Sequence, residues 1–419
     1  MSEFGILFVH NNFPGQFRNL ALALAAQEGV CVRAIGTRMA PGLPEVPMQR
    51  YSFKSVDSAV VHTFARRFDL ESRRAEQVIY AVTQLKLEGF SPQLIYVHPG
   101  WGEALPLRAL FPDAVICAYA EFYYWPKGVD IGFDPEAPRY GVDGETRISL
   151  RNAATLLALV DADVAISPTQ WQRSVFPEAF RDKIQVLHDG LDTAALLPQA
   201  DAADVFIGNL RFRPSDEIVT FVSRNLEPYR GFHIFMRALP EILKARPQAR
   251  ICIMGGDEVS YGARPDEQAS WRAVMLAELG DGIDLSRVHF LGKVAYEEYL
   301  ALLRLSRAHV YLTYPFVLSW SLLEAMALER LVIASATAPV QEVIEDGVNG
   351  LLVPFFDAQA LAARVAEALS EPQRFAALRR EARSSVVSRF DFRERIWPGH
   401  LDLLEDQPGC APLLRLLRR

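Results

Sequence analysis

A chain of 419 residues is longer than one hydrophobic core usually grows, so two domains are expected. Half of the residues are hydrophobic and 23% are charged, the balance of a globular chain, and the net charge of −7 excludes a general nucleic-acid binder, which needs a basic surface. Cys31, Cys117, Cys252 and Cys410 show no paired spacing and read as residues of a reduced compartment, and the eight histidines form no metal-ligand pattern. The apolar run near the N-terminus is too short for a signal peptide, and none approaches the length of about 20 residues that spans a bilayer. A cytoplasmic protein is the expectation.

Residues 5–9 form a continuous apolar run, as a strand buried on both faces requires. A turn with Pro14-Gly15 follows, then a helical pattern over 17–27 and a second strand over 30–36. This βαβ opening puts a glycine-bearing loop at the carboxyl end of the first strand, where open parallel sheets bind ligands. The alternation continues with a helix over 74–88 and strands over 94–98 and 114–120. Glu121 and the aromatic run Phe122-Tyr-Tyr-Trp125 come directly after. The Gly-, Pro- and Asp-rich stretch 126–144 is long enough for a loop to be functional or disordered. A helix over 148–160, a strand over 164–167, a short helix over 169–176 and a strand over 184–187 lead to His188-Asp-Gly-Leu-Asp192. A composition shift over 197–215 sets a domain boundary near Gln199.

A second alternating unit begins with a strand over 218–222 and the turn Ser223-Arg-Asn-Leu-Glu-Pro-Tyr-Arg-Gly231. A helix over 232–244 and a strand ending in Met254-Gly-Gly-Asp257 follow. Val288-His-Phe-Leu-Gly-Lys293 is a strand and turn, 296–306 a helix and 310–313 a strand. That strand feeds the stretch 311–335, which bends through Pro315, crosses Ser319-Trp320-Ser321 and becomes a helix carrying Glu324. A strand, a turn of backbone N–H groups and a helix make an anion site, and a carboxylate in the first turns can accept hydrogen bonds from sugar hydroxyls. Helices are expected over 358–369 and 372–387. The domains expected are 1–199 and 200–395, with a helical segment over 396–419.

The series Ser223-Arg224, Arg230-Gly231, Met254-Gly-Gly-Asp257, Phe290-Leu-Gly292, Leu322-Leu-Glu-Ala-Met326 and Asn349-Gly-Leu-Leu-Val-Pro354 resembles the donor-binding domain of retaining glycosyltransferases of family 4. His188-Asp-Gly-Leu-Asp192 is similar to that family's interdomain turn, and Pro14-Gly15 to its glycine loop. The resemblance implies an α/β chain of the GT-B fold, two doubly wound Rossmann-like domains facing across a cleft. It implies transfer of a sugar, with retention and without a metal, from a UDP- or GDP-linked donor to an acceptor hydroxyl. No cofactor is implied beyond that substrate. The acceptor would be a sugar or a lipid- or protein-linked group, as in bacterial-type polysaccharide, glycolipid or glycoconjugate synthesis.

By the same resemblance Arg224 and Arg230 clamp phosphate, Ser319 and Trp320 offer backbone N–H groups to it, and Glu324 holds the ribose. Gly15, Gly255 and Lys293 complete the donor-contacting set. Phe316 stands where the family carries the first of two glutamates, which suggests an altered sugar orientation or a sugar stacked on Phe316 or Trp320. In the first domain Glu121 stands where the family usually has a catalytic histidine, and its carboxylate can stabilise a developing cation or orient the acceptor. His98, at the end of the neighbouring strand, competes for that role. The aromatics after Glu121, with Phe133 and Tyr140, suit either an acceptor platform or core packing. Asp161-Ala-Asp163 reads as a helix-ending turn rather than a metal motif. The Leu/Arg-rich tail 413–419 fits either peripheral contact with an anionic membrane face or a helix packing back on the first domain. A nucleotide-sugar epimerase and a non-catalytic nucleotide-sugar-binding module are the alternatives.

Overall fold

The computed structural model describes residues 3–52, 60–199 and 203–418. It divides into two compact units, Met1–Asp192 with Phe390–Arg419, and Thr193–Arg389. The first unit is built on a sheet of β1 (Phe4–Val9), β2 (Val30–Thr37), β3 (Met48–Tyr51), β4 (Leu94–Val97), β5 (Val115–Tyr119), β6 (Val164–Ser167) and β7 (Ile184–Val186). All neighbours pair in parallel, in the order β3-β2-β1-β4-β5-β6-β7. The chain therefore builds outward one way from β1 to β3 and then starts again on the other side of β1. β1, β4, β5 and β6 are buried along their whole length, which is why they read as unbroken apolar runs.

One face of this sheet contributes Ile6, Phe8, Leu94, Tyr96, Cys117 and Tyr119 to the core. Helix Arg18–Ala25 adds Leu20, Ala21 and Leu24, and the C-terminal segment adds Phe392, Ile396, Leu403, Leu404, Leu413 and Leu414. Each fully buried Leu or Phe stabilises the unit by roughly 1.5–3 kcal/mol relative to exposure. The apolar side of the Leu/Arg-rich tail thus faces inward. Leu191 pairs through its main chain with Phe390 and Phe392 across the point where the chain leaves this unit and returns to it: Leu191 N–H donates to Phe390 O and Phe392 N–H to Leu191 O, both at 2.8 Å.

The second unit opens with a separate antiparallel hairpin, β8 (Val205–Ile207) and β9 (Leu210–Phe212). Its main sheet comprises β10 (Glu217–Asn225), β11 (Ala249–Gly256), β12 (Val288–Gly292), β13 (Ala308–Tyr311), β14 (Val332–Ser335) and β15 (Leu351–Val353). The order is β12-β11-β10-β13-β14-β15, parallel throughout, with the reversal between β10 and β13. Helix Phe232–Ala245 buries Phe232, Phe235, Met236, Leu239, Ile242 and Leu243 at three- and four-residue spacing, and Phe235 stacks on Phe221 of β10 at 4.8 Å. Two sheets of this kind are two Rossmann-like halves.

Several local expectations change. The helix expected over 74–88 begins a full eight residues earlier, at Arg66. The stretch 126–144 gives way to helix at Val142, and the single helix expected over 148–160 is two, Val142–Leu150 and Ala153–Asp161. The break falls at Asn152, whose amide holds both the N–H and the carbonyl of Tyr124, at 2.8 and 2.9 Å. Helix Ala376–Phe390 starts and ends later than the expected 372–387. Strand β3, the β8–β9 hairpin and helix Trp271–Leu279 are additional elements. Among the described residues no helix is long and apolar enough to cross a membrane.

Candidate functional site

In the first unit the candidate residues meet where the sheet order reverses, at the carboxyl ends of β1, β4 and β5. Such a switch point leaves a crevice between loops that diverge to opposite sides of the sheet. His10 follows β1, His98 follows β4 and Glu121 comes two residues after β5. His98 Nε2 lies 3.3 Å from Glu121 Oε2, and Gln16 Nε2 donates to Glu121 Oε1 at 2.7 Å. Gln16 Oε1 in turn lies 2.9 Å from His10 Nε2, so one glutamine amide links His10 to Glu121. Gln172 Nε2 holds the main-chain carbonyl of Glu121 at 2.7 Å. Trp101 stacks on His98 with centroids 4.2 Å apart.

Gly15 explains itself by geometry. Its φ is +47°, and a Cβ there would sit 2.5 Å from His10 Nε2. The turn can close over the imidazole only with no side chain at this position.

Burial, helped by the neighbouring His98, pulls His10 down to about 3, so this ring is neutral. Burial alone would raise the Glu121 carboxyl. Hydrogen bonding and charge from His98, with the Gln16 hydrogen bond, instead hold it below the ordinary carboxylate value. Glu121 is therefore an ionised carboxylate with 28% of its side chain exposed, beside a His98 that is 4% exposed. Among the aromatics after it, Phe122 is buried, while Trp125 anchors its indole to Val175 O at 2.6 Å and stays partly exposed, as does Tyr140. Asp163 of the Asp-Ala-Asp turn accepts from Arg108 at 2.6 Å and from the Ile116 N–H at 2.8 Å, a tie between structural elements.

In the second unit the candidates also gather at carboxyl ends of strands around the reversal. Arg224 and Arg230 lie at and after the end of β10, Gly255 at the end of β11 and Lys293 after β12. Phe316, Ser319, Trp320 and Glu324 follow β13. Arg224 is exposed. Lys293 is exposed too, 3.8 Å from the Glu258 carboxylate. A Cβ on Gly255 would meet Ser223 O at 2.7 Å, so β10 and β11 approach closely only with glycine there.

Glu324 sits in the first turns of helix Trp320–Ala327 and is buried. Tyr296 donates to its Oε1 at 2.6 Å and Tyr299 to its Oε2 at 2.7 Å. Burial raises this carboxyl, and the two tyrosine hydrogen bonds work against that shift. Each oxygen keeps a further lone pair for a ligand hydroxyl.

Arg230 is placed differently from Arg224. It is 6% exposed, and its Nη1 donates to Val317 O at 2.7 Å and to Thr313 Oγ1 at 2.9 Å, with Tyr311 Oη at 3.4 Å. The Ser319 N–H donates to that same Tyr311 hydroxyl at 2.7 Å. Phe316 is 2% exposed, with the Tyr261 ring 4.8 Å away and the Tyr229 ring at 5.4 Å in a T-shaped pair, so the ring is enclosed by protein in this arrangement. The Trp320 indole is half exposed.

Several residues here escape the motif reading. His10, Gln16 and Gln172 frame Glu121, Tyr296 and Tyr299 frame Glu324, and Glu227 pins a loop. Of these only His10 carries a sequence signal, since it occupies the position directly after a buried strand.

Two family models match the chain in tandem. Residues 28–196 match the glycosyl transferase family 4 group and residues 216–371 match the glycosyl transferases group 1. A D-inositol 3-phosphate glycosyltransferase of Rhodococcus opacus is 29% identical over 205 residues, which is 48% of this chain and 43% of that protein, so the match spans less than half of the relative. Among solved structures, sucrose-phosphate synthase from Thermosynechococcus elongatus superposes with a TM-score of 0.71 at 22% identity, covering 96% of this chain and 98% of the other. Anabaena Alr3699/HepE in complex with UDP-glucose gives a TM-score of 0.64 at 17% identity, covering 96% of this chain and 99% of the other. At these identities the structural likeness establishes the GT-B fold, and the two family models carry the assignment: the chain belongs with the glycosyltransferases, residues 28–196 with the glycosyl transferase family 4 group and residues 216–371 with the glycosyl transferases group 1.

Proposed function

We propose that the protein is a retaining glycosyltransferase that moves a sugar from a UDP- or GDP-linked donor to an acceptor hydroxyl, without a metal ion. The donor binds the second unit and the acceptor the first. The observation that carries this reading is the convergence of Arg224, Gly255, Lys293, Ser319-Trp320 and Glu324 on the carboxyl ends of β10, β11, β12 and β13, around one reversal of strand order. The HepE structure, described as a complex with UDP-glucose, supports a nucleoside-diphosphate donor on this fold.

Departure of the diphosphate builds negative charge on its oxygens and positive charge on the anomeric carbon. Fixed cations and N–H dipoles stabilise the first, and the exposed Arg224 and Lys293 are placed for that. Glu324 receives ribose hydroxyls. An ionised carboxylate suits the second charge, and Glu121 is held in that form by His98 and Gln16. Its other service would be to orient the acceptor hydroxyl. The acceptor belongs to polysaccharide, glycolipid or glycoconjugate synthesis, and the unpaired cysteines fit work in the cytoplasm.

The test is calorimetric titration with UDP, GDP and ADP, followed by donor turnover with and without sugar acceptors. UDP or GDP is expected to bind, and Arg224→Ala to weaken it about 10- to 100-fold, the range expected when a hydrogen bond to a charged group is lost. Absence of nucleotide binding, or an Arg224→Ala variant that binds as well as wild type, sinks the proposal. Isomerised donor formed without acceptor would assign an epimerase instead.

A further inference from the structure

We infer that Arg151 is an anion-binding residue of the acceptor site, so that the acceptor carries a carboxylate or phosphate group besides the hydroxyl that receives the sugar. Arg67, Arg108, Arg173 and Arg181, half-buried arginines of the same unit, each donate to a main-chain carbonyl, at 2.6, 2.9, 2.8 and 2.7 Å. Arg151 is half-buried too, yet among the described residues its guanidinium makes neither a hydrogen bond nor an ion pair. Its central carbon stands 3.7 Å over the middle of the Tyr124 ring. A guanidinium held on an aromatic face keeps the N–H donors at its rim for a ligand, and that fork matches a carboxylate or phosphate. The break between helices Val142–Leu150 and Ala153–Asp161 builds this stack. Asn152 holds the N–H and the carbonyl of Tyr124, and the residue before it covers the ring.

Topology puts the guanidinium on the functional edge of the sheet. All strands of this unit run parallel, so the chain that leaves β5 at the carboxyl edge has to come back to the start of β6. Helix Ala153–Asp161 makes that return, and its N-terminal end, with Arg151, stands at the edge that carries His98 and Glu121. Helix Arg66–Leu87 returns to β4 in the same way and brings Arg67 to that edge. Arg67 is spent there: it donates to Gly100 O, two residues past His98, and to the buried Glu71 carboxylate. Glu71 is thereby paired, and Arg151 keeps its charge for something else. Burial pushes the Tyr124 hydroxyl up to about 12, and the charges of Arg151, Glu121, Asp130 and Arg67 act on it as well, so these groups surround one ring. Like charge keeps an anion away from Glu121, so the anionic group and the reacting hydroxyl belong to different ends of the acceptor. The word acceptor rests on the proposed reaction; the anion site does not.

The test is calorimetric titration of the full chain with glucose, glucuronate and glucose 6-phosphate, needing no turnover. At least one of the two charged sugars is expected to bind about tenfold or more tighter than glucose, and the tighter one names the anion as carboxylate or phosphate. Arg151→Gln should weaken that sugar about 10- to 100-fold and leave glucose unchanged, the range for a lost hydrogen bond to a charged group. Tyr124→Leu, which takes away the platform, should weaken it about threefold, the scale of a cation–π contact. The inference is overturned if neither charged sugar binds better than glucose, or if Arg151→Gln binds it as wild type does. It is equally overturned if Arg224→Ala, and not Arg151→Gln, loses the charged sugar, since that places binding on the second unit. Should Arg151→Gln fail to fold, Arg151→Lys decides: it keeps the charge without the planar fork and has to bind the charged sugar more weakly than wild type. If wild type binds no UDP, the proposed function falls while the comparison of charged and neutral sugars stands on its own.

Discussion

The two halves of this protein place their polar residues by the same rule and give them opposite charge. In both, the side chains stand on loops at the carboxyl ends of parallel strands flanking the reversal of order, β1 and β4 in one unit, β10 and β13 in the other. The first unit gathers two imidazoles around an ionised carboxylate, Glu121. The second gathers arginines, a lysine and a turn of main-chain N–H groups, with two buried carboxylates, Glu324 held by tyrosines and Glu227 by the main-chain N–H groups of Ser260, Tyr261 and Gly262. Sheet topology decides where a site forms; loop residues decide which charge it holds.

The comparison breaks most sharply at Glu121. Glu121→Gln keeps the size and the Gln172 tie but removes the charge, and turnover is expected to fall by roughly 100-fold or more, the scale of one positioned catalytic group. Calorimetry on the same variant should return the wild-type UDP affinity, because the proposed donor site lies on the other unit. A matched loss of nucleotide affinity would show that the division of labour is wrong. Gly15→Ala attacks the same unit through its backbone. A left-handed φ and a Cβ pressed on His10 should together cost about 1–3 kcal/mol, lowering the melting transition of the first unit while that of the second stays put.

Acid offers a smaller separation. Burial, for His10 with help from His98, pulls His10 and His400 in the first unit and His309 in the second down to about 3. Between about 6.5 and 3 the unfolded chain binds a proton at each site and the folded chain does not. Stability therefore falls as pH drops through that window, by about 1.4 kcal/mol per pH unit for each histidine. His309→Gln removes one such site from the second unit, so its calorimetric transition should become less acid-sensitive by that amount and the first unit's should not. Smallest of all, Tyr296→Phe deletes one of the two hydroxyls on Glu324 and should weaken nucleotide binding by about fivefold, as expected for a single hydrogen bond worth near 1 kcal/mol.

Much of the fold is legible in the chain because strands buried on both faces leave continuous apolar runs. β1, β4 and β5 all announce themselves in this way. β3, Met-Gln-Arg-Tyr, sits at the sheet edge with one exposed and two half-exposed residues, and such a strand leaves no run to read. The start of the helix at Arg66 is equally silent, since its first turn is rich in charge and poor in apolar spacing. Glu121 and His98 can be found from their places after strands, and His10 obeys the same rule. The fate of Arg230 cannot be found that way. Its partners Tyr311, Thr313 and Val317 lie some eighty residues on, and no local pattern tells an arginine in a polar turn whether it will face solvent or the protein.

The main-chain pairing of Leu191 with Phe390 and Phe392 has a consequence for how the molecule is made. Residues 193–389 are an insertion into a host whose two pieces are far apart in sequence and adjacent in space. The inserted unit is complete once residue 389 has left the ribosome, whereas the host still lacks Phe392, Leu403 and Leu413. During synthesis the later-encoded unit is thus the first able to finish folding, and the N-terminal sheet waits with one side of its core uncovered for the segment that begins at Phe390.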